Sequence, residues 1–215
     1  LTEEKTYIRR LCSTADIPTS ALQPIELVVI GGSAGSMVVL MELMKSVSFF
    51  PIPIIFVIHR GKTSSFGTLA GIFQKANQEI KVKEAEEKET LSPKTIYLAP
   101  ADYHLLVERD FSLSLDLSEK VWHSRPSIDV LFQSAADAGG KRTLGILLSG
   151  ANADGVQGLQ EIRKKGGLTI IQDPHTAEYP TMPNEALKAK AADYKLTPSK
   201  LERTFEKLKK VKLHF

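Results

Sequence analysis

Cysteine is all but missing from this 215-residue chain, with Cys12 the only one. A lone cysteine excludes an internal disulfide and any cysteine-rich metal site, and it suits a reducing compartment. Aromatics are sparse at 7%, with a single tryptophan. Charge of one sign is also lacking: 28 basic against 25 acidic residues leave a net +3, too little to argue for nucleic acid. Much of that excess sits among C-terminal lysines, which solvate a helix face. No apolar run approaches a membrane span, and no signal peptide opens the chain. These absences lead us to expect a cytoplasmic protein with no membrane insertion and no nucleic-acid partner. The five histidines show no H-E-x-x-H or similar spacing, so we expect no metal. Walker and G-x-G-x-x-G patterns are absent in full form.

What the chain does contain is ordinary globular material, 42% hydrophobic and 25% charged. Leu1 to Pro24 is polar and aperiodic and reads as an N-terminal extension or linker. Residues 25–215 read as one domain. Within it, short apolar runs alternate with helical patterns. Leu27 to Ile30, Ile54 to Ile58 and Leu144 to Leu148 are continuous apolar strands, the mark of a parallel sheet covered on both faces. Ile80 to Lys83, Thr95 to Leu98 and Leu168 to Ile171 add shorter ones. Helices are expected at 37–45, 65–77, 128–138, 156–165, 183–190 and 200–210. Ser199 and Glu202 have capping-box spacing before the last, and Gly166-Gly167 suits a C-cap. His104 to Glu108 and Phe111 to Leu115, joined by Arg109-Asp110, form an antiparallel hairpin. The fold class is therefore α/β: a doubly wound, mostly parallel sheet with helices on both faces and one hairpin.

Open α/β sheets place chemistry beyond the carboxyl ends of their strands. Gly31-Gly32-Ser33-Ala34-Gly35 follows the first strand and has the G-x-S-x-G spacing of a nucleophile elbow. The same turn would equally let a helix pack close or cradle a phosphate. His59 follows the second strand, and Asp154 lies in the turn after Leu144 to Leu148. A hydroxyl, an imidazole and a carboxylate on one rim make up a nucleophile, its base and the group that orients the base. Their order, Ser-His-Asp, differs from the Ser-Asp-His of α/β-hydrolases. Taken alone, Asp154 would cap the helix that begins after Gly155.

Ile30-Gly31-Gly32-Ser33-Ala34-Gly35, Val57-Ile58-His59 and Leu147-Leu148-Ser149-Gly150-Ala151-Asn152-Ala153-Asp154-Gly155 resemble, in order, the three site motifs of the CheB chemotaxis protein-glutamate methylesterases. Tyr97 to Pro100, His104 to Val107, Arg125 to Phe132, Gln172-Asp173 and Met182 to Ala186 agree as well. The resemblance spans roughly 25–196. It implies a serine hydrolase that demethylates γ-glutamyl methyl esters of a chemoreceptor, releases methanol, needs no cofactor, and often deamidates receptor glutamines. Carried over, Ser33 is the nucleophile, His59 the base and Asp154 the carboxylate behind it. Backbone amides at Ala34 and Ala151 are the oxyanion donors. Arg60, Arg125 and Tyr179, in loops on the same rim, are expected to touch the receptor. Ala34, Ser36, Ala151 and Arg60-Gly61 depart from the family pattern. The family's receiver domain does not fit in Leu1 to Pro24, so we expect such a domain, if there is one, to be separate or missing. A non-catalytic binding module and a Rossmann-like nucleotide binder are the alternatives.

Overall fold

The first apolar run becomes β1, Leu27–Gly32, buried at all six positions. A strand with no exposed face needs apolar cover above and below. The computed structural model describes residues 16–46, 50–59 and 66–210, and there β1 is the fourth of seven strands. Their spatial order is β3 (Lys81–Glu84), β4 (Thr95–Leu98), β2 (Ile54–Ile58), β1, β7 (Thr143–Leu147), β8 (Leu168–Gln172) and β9 (Tyr194–Leu196). Every pairing in this sheet is parallel. The expected hairpin, β5 (His104–Val107) with β6 (Leu113–Asp116), forms a separate antiparallel two-stranded sheet. The doubly wound α/β fold read from the pattern is the fold observed.

Alternation along each strand sends successive side chains into two different cores. Val28, Ile30, Phe56 and Ile146 meet α1 (Thr19–Leu22), α2 (Ser36–Ser46), α3 (Phe66–Ala76) and α7 (Pro198–Leu208). Leu27, Val29, Val57 and Leu147 meet the hairpin and α4 (Ile128–Gly139), α5 (Val156–Lys164) and α6 (Thr181–Lys188). On this second face α4 and α5 approach closely at Gly158, where an added Cβ would lie 2.4 Å from Phe132 Cβ.

Several local expectations shift. The described part of the polar N-terminal stretch is packed: Ile17 and Leu22 are buried, and Lys207 Nζ donates to the Ile17 carbonyl at 2.8 Å. Cys12 lies outside the described residues. Helix α7 begins at Pro198, two residues before the expected start, because proline's fixed φ suits a first helical position. Ser199 therefore sits inside the helix and pairs with Thr197 Oγ1 at 3.1 Å rather than forming a capping box. The Gly166 cap holds, with φ +84. Strand β9 has three residues and too short a pattern to stand out in sequence.

Candidate active site

From β1 the chain crosses to β2 on one side and later returns to β7 on the other, so the sheet's switch point lies beside β1. Gly32 pairs with Ile58 in register, and each is followed at once by a candidate residue, Ser33 and His59. The His59 amide donates to Gly32 O at 3.1 Å and the Ser33 amide to Ser149 O at 2.9 Å. Neighbouring strands lie about 4.8 Å apart. Serine and histidine thus leave adjacent strands at the same height, next to the loop that carries Asp154.

His59 Nε2 and Asp154 Oδ2 are 2.7 Å apart, with side chains 9% and 0% exposed. Asp154 is saturated by donors. Oδ1 accepts from Ser127 Oγ at 2.8 Å and the Asp129 amide at 2.9 Å, and Oδ2 from the Ile128 amide at 2.8 Å. These amides belong to the first turn of α4, which has no intrahelical partners for them. Asp154 therefore caps α4, a helix far away in sequence, and not the helix that follows it. Burial works to raise its pKa. Hydrogen bonds from His59 and from the Asp129 and Ile128 amides outweigh that and hold the carboxyl below the ordinary aspartate value. An ionised carboxylate only accepts, so His59 carries a proton on Nε2, and in the neutral ring Nδ1 is the acceptor. Ser127 is steadied in turn, its amide donating to His104 Nδ1 at 3.1 Å. His104, wholly buried, then gives its Nε2 proton to Glu119 O at 2.9 Å.

The glycines explain how α4 reaches this place. An added Cβ on Gly31 would lie 2.2 Å from Ile128 Cγ2, and one on Gly155 2.6 Å from the same atom. Ile128, the first residue of α4, is wedged between them and seats the helix start under the rim. Gly35 has φ +77, and its Cβ would meet Ser149 Oγ and Glu178 Cβ at 2.7 Å. Ser36, where a second glycine is usual, donates its hydroxyl to Ser33 O at 2.7 Å and tightens the turn.

The structure brings His59 and Asp154 together and sets Ser33 beside them, but no hydrogen bond joins Ser33 Oγ to His59 among the described residues. The Ala34 and Ala151 amides, both on exposed residues, donate to no acceptor among those residues. Ser149, which the sequence did not single out, ties the loops together. Its hydroxyl donates to Ala34 O at 2.8 Å and accepts the Tyr179 amide at 2.9 Å. Tyr179 is 42% exposed, and its carbonyl takes the Gly150 amide. Arg125 is half-buried and gives Nη1 to Leu117 O and Ser118 O at 2.7 and 2.8 Å, so it braces a loop. Arg60 lies outside the described residues. Sequence reasoning also passed over Ser127, whose only signal was its place before a helix. Among the described residues, no group of three or more His, Cys, Asp or Glu is placed to hold a metal ion.

Residues 28–205 match the family model described as CheB methylesterase. A Leptospira interrogans protein provisionally named protein-glutamate methylesterase/protein-glutamine glutaminase is 43% identical over 184 residues, which cover 85% of this chain and 94% of that protein. The protein-glutamate methylesterase FrzG of Myxococcus xanthus is 35% identical over 83% of this chain, which spans 53% of that longer protein. The crystal structure of the Thermotoga maritima CheB methylesterase catalytic domain superposes with a TM-score of 0.80. It is 30% identical, with 86% of this chain and 98% of that chain covered.

Proposed function

This chain belongs to the CheB methylesterase family, and from that premise we propose that Ser33, His59 and Asp154 hydrolyse γ-glutamyl methyl esters on a chemoreceptor. The observation that carries the residue assignment is the 2.7 Å bond between His59 Nε2 and a buried, fully hydrogen-bonded Asp154, level with Ser33. Ser33 Oγ attacks the ester carbonyl carbon while its proton passes to His59 Nδ1. The imidazolium that forms faces Asp154, whose negative charge is held ready by the α4 amides. The Ala34 and Ala151 amides, which have no other acceptor among the described residues, receive the developing oxyanion.

Collapse of the tetrahedral species expels methoxide, which takes the proton from His59 and leaves as methanol. Water, deprotonated by the same imidazole, then cleaves the acyl-serine to free glutamate and restores Ser33. A glutamine amide would follow the same course and release ammonia, the deamidation that the relatives' names include. No step calls for a cofactor. Tyr179 faces solvent on the rim and suits a receptor contact. Arg125 serves by holding its loop, and the substrate implies a cytoplasmic site of action.

The open link between Ser33 and His59 is what favours the second reading, a non-catalytic docking module. Catalytic hydrogen bonds are often long in free enzymes and tighten on substrate, so it weighs little against the site. A serine-directed phosphonate separates the two: the enzyme is labelled on Ser33, as read by peptide mass, and releases methanol from methylated receptor. An unlabelled protein that releases none from a receptor shown competent with another esterase would be the docking module.

A further inference from the structure

Between β6 and α4 the chain makes a tight turn that ordinary turn chemistry does not explain. Val121 and Ser124 exchange two backbone hydrogen bonds, 3.2 and 2.9 Å, around Trp122 and His123. Both central residues are left-handed, with φ of +51 and +59. That is the geometry of a two-residue I′ turn, where asparagine and glycine are preferred. A bulky indole there is out of place locally, and such outliers collect at functional sites. Its Nε1–H donates to Asp129 Oδ2 at 3.0 Å, and Asp129, 3% exposed, also takes the Gly158 amide at 2.7 Å. The indole is thereby pinned by its edge, while Trp122 stays 43% exposed.

Its place relative to the reaction follows from the same aspartate. The Asp129 amide holds Asp154, and Asp154 holds His59. Tyr179, also exposed, is anchored to Ser149 and Gly150, beside Ser33. With Nε1 already engaged, Trp122 offers only an apolar ring face, and Leu117, in the same connection, is 60% exposed. We propose that Trp122 is a specificity-determining contact, its ring packing on the apolar face of the helix that presents the esterified glutamate. The surface suits alanine, leucine or methylene groups three or four residues from that glutamate, which share its helix face. This rests on the reading of Ser33, His59 and Asp154 given above.

Trp122 is the only tryptophan in the chain, so its emission reports on this contact directly. The Ser33→Ala protein is titrated with a helical peptide carrying γ-methyl glutamate with alanine and leucine three and four residues away. A saturable blue shift and reduced acrylamide quenching are expected. In otherwise wild-type protein, Trp122→Ala should lower the ratio of kcat/KM on the peptide ester to that on p-nitrophenyl acetate roughly tenfold, mostly through KM. Trp122→Phe, which keeps a ring but drops the Asp129 bond, should fall between. Peptide binding by calorimetry with unchanged emission would overturn the proposal. So would equal losses on both substrates in folded Trp122→Ala. An emission maximum that shifts with protein concentration alone would assign the indole to contact between copies. Wild-type turnover by Ser33→Ala would instead bring down the underlying site, and this inference with it.

Discussion

At the amino ends of β1, β7, β8 and β9 a cleft of about 850 Å³ opens beside Lys141, Arg163, Lys164, Gly167 and Asp193. At the carboxyl ends of β1, β2 and β7 lie Ser33, His59 and a wholly buried Asp154. Both ends carry charge, and helix polarity explains the difference between them. Helices α4 and α5 run back along the sheet and bring their carbonyl ends to the amino side, which favours cations there. Those cations reach out to solvent, Arg163 pairing with the buried Asp193 and Lys164 with the exposed Glu161, each at 3.1 Å. The exposed Lys164–Glu161 pair contributes little. The carboxyl side receives helix starts, whose unpaired amides make a buried carboxylate tolerable. A roomy basic cleft therefore follows from helix direction, whereas a saturated, buried carboxylate on an imidazole calls for a functional account.

The sharpest way to break that contrast is at the reacting groups. Ser33→Ala should abolish methanol release. Asp154→Asn is nearly isosteric, but the structure shows what it disturbs. An amide nitrogen at the Oδ1 position can donate to Ser127 Oγ, yet it strands the Asp129 amide, a loss of about 1–3 kcal/mol in a melt. The carbonyl oxygen would still face His59 and Ile128 and keep the imidazole tautomer. Turnover should then fall by less than the roughly 10⁴ seen where the wrong tautomer is imposed. Adding Asp154→Asn to Ser33→Ala should make little further difference, since such residues act as a unit. A full 10⁴ loss in a well-folded Asp154→Asn protein would show that the amide turns the other way.

Next comes the seating of α4. Gly31→Ala puts a methyl where Ile128 Cγ2 sits and must move the helix start that holds Asp154. We expect it to cost about 1–3 kcal/mol and lower kcat. The double change Gly31→Ala with Ile128→Ala, which removes the Cγ2 methyl, should recover part of kcat, and no recovery would detach the wedge from the site.

Two carboxylates on one helix start differ in pH response, which sharpens the comparison within the rim. Burial, with the nearby Asp154 charge adding to it, pushes Asp129 up from 3.8 to about 6. A raised carboxyl pKa means its stabilising share is whole below about pH 4 and lost as pH rises through 6, some 3 kcal/mol at most. Asp154, lowered, behaves oppositely, contributing above its unfolded value and losing that as acid protonates it in the fold. Melting of Asp129→Asn against wild type should therefore move in the mutant's favour between pH 4 and pH 7. A constant difference would mean Asp129 is ionised throughout.

The smallest effect is expected at the other end. Lys141→Ala with Lys164→Ala should leave methanol release unchanged and stability within about 1 kcal/mol. A large loss of turnover would give the amino-end cleft a part that helix polarity does not predict.

Much of this was legible because each piece is local. Leu27 to Ile30, Ile54 to Ile58 and Leu144 to Leu148 are apolar without a break, so they announce buried parallel strands, and Ser33, His59 and Asp154 each stand just behind one. Local signals failed where a partner replaced them. Asp154 reads as a cap for its own helix, yet it caps α4 instead, and Ser127, which the sequence reading passed over, gives it a hydroxyl donor. Gly31 reads as part of a tight turn, and it also makes room for Ile128.

The sequence by itself determined the alternation of strands and helices, the antiparallel hairpin, and which residues could supply a nucleophile, a base and a carboxylate. It could do so because hydrophobic period and turn chemistry act over a few neighbouring residues. Only the tertiary structure decided that His59 meets Asp154 across 95 positions, that α4 supplies the carboxylate's donors, and that Trp122 is pinned to Asp129. Those contacts depend on the order β2, β1, β7 in the sheet and on where Ile128 finds space. Strand order is settled by the packing of the whole chain, which no local stretch encodes.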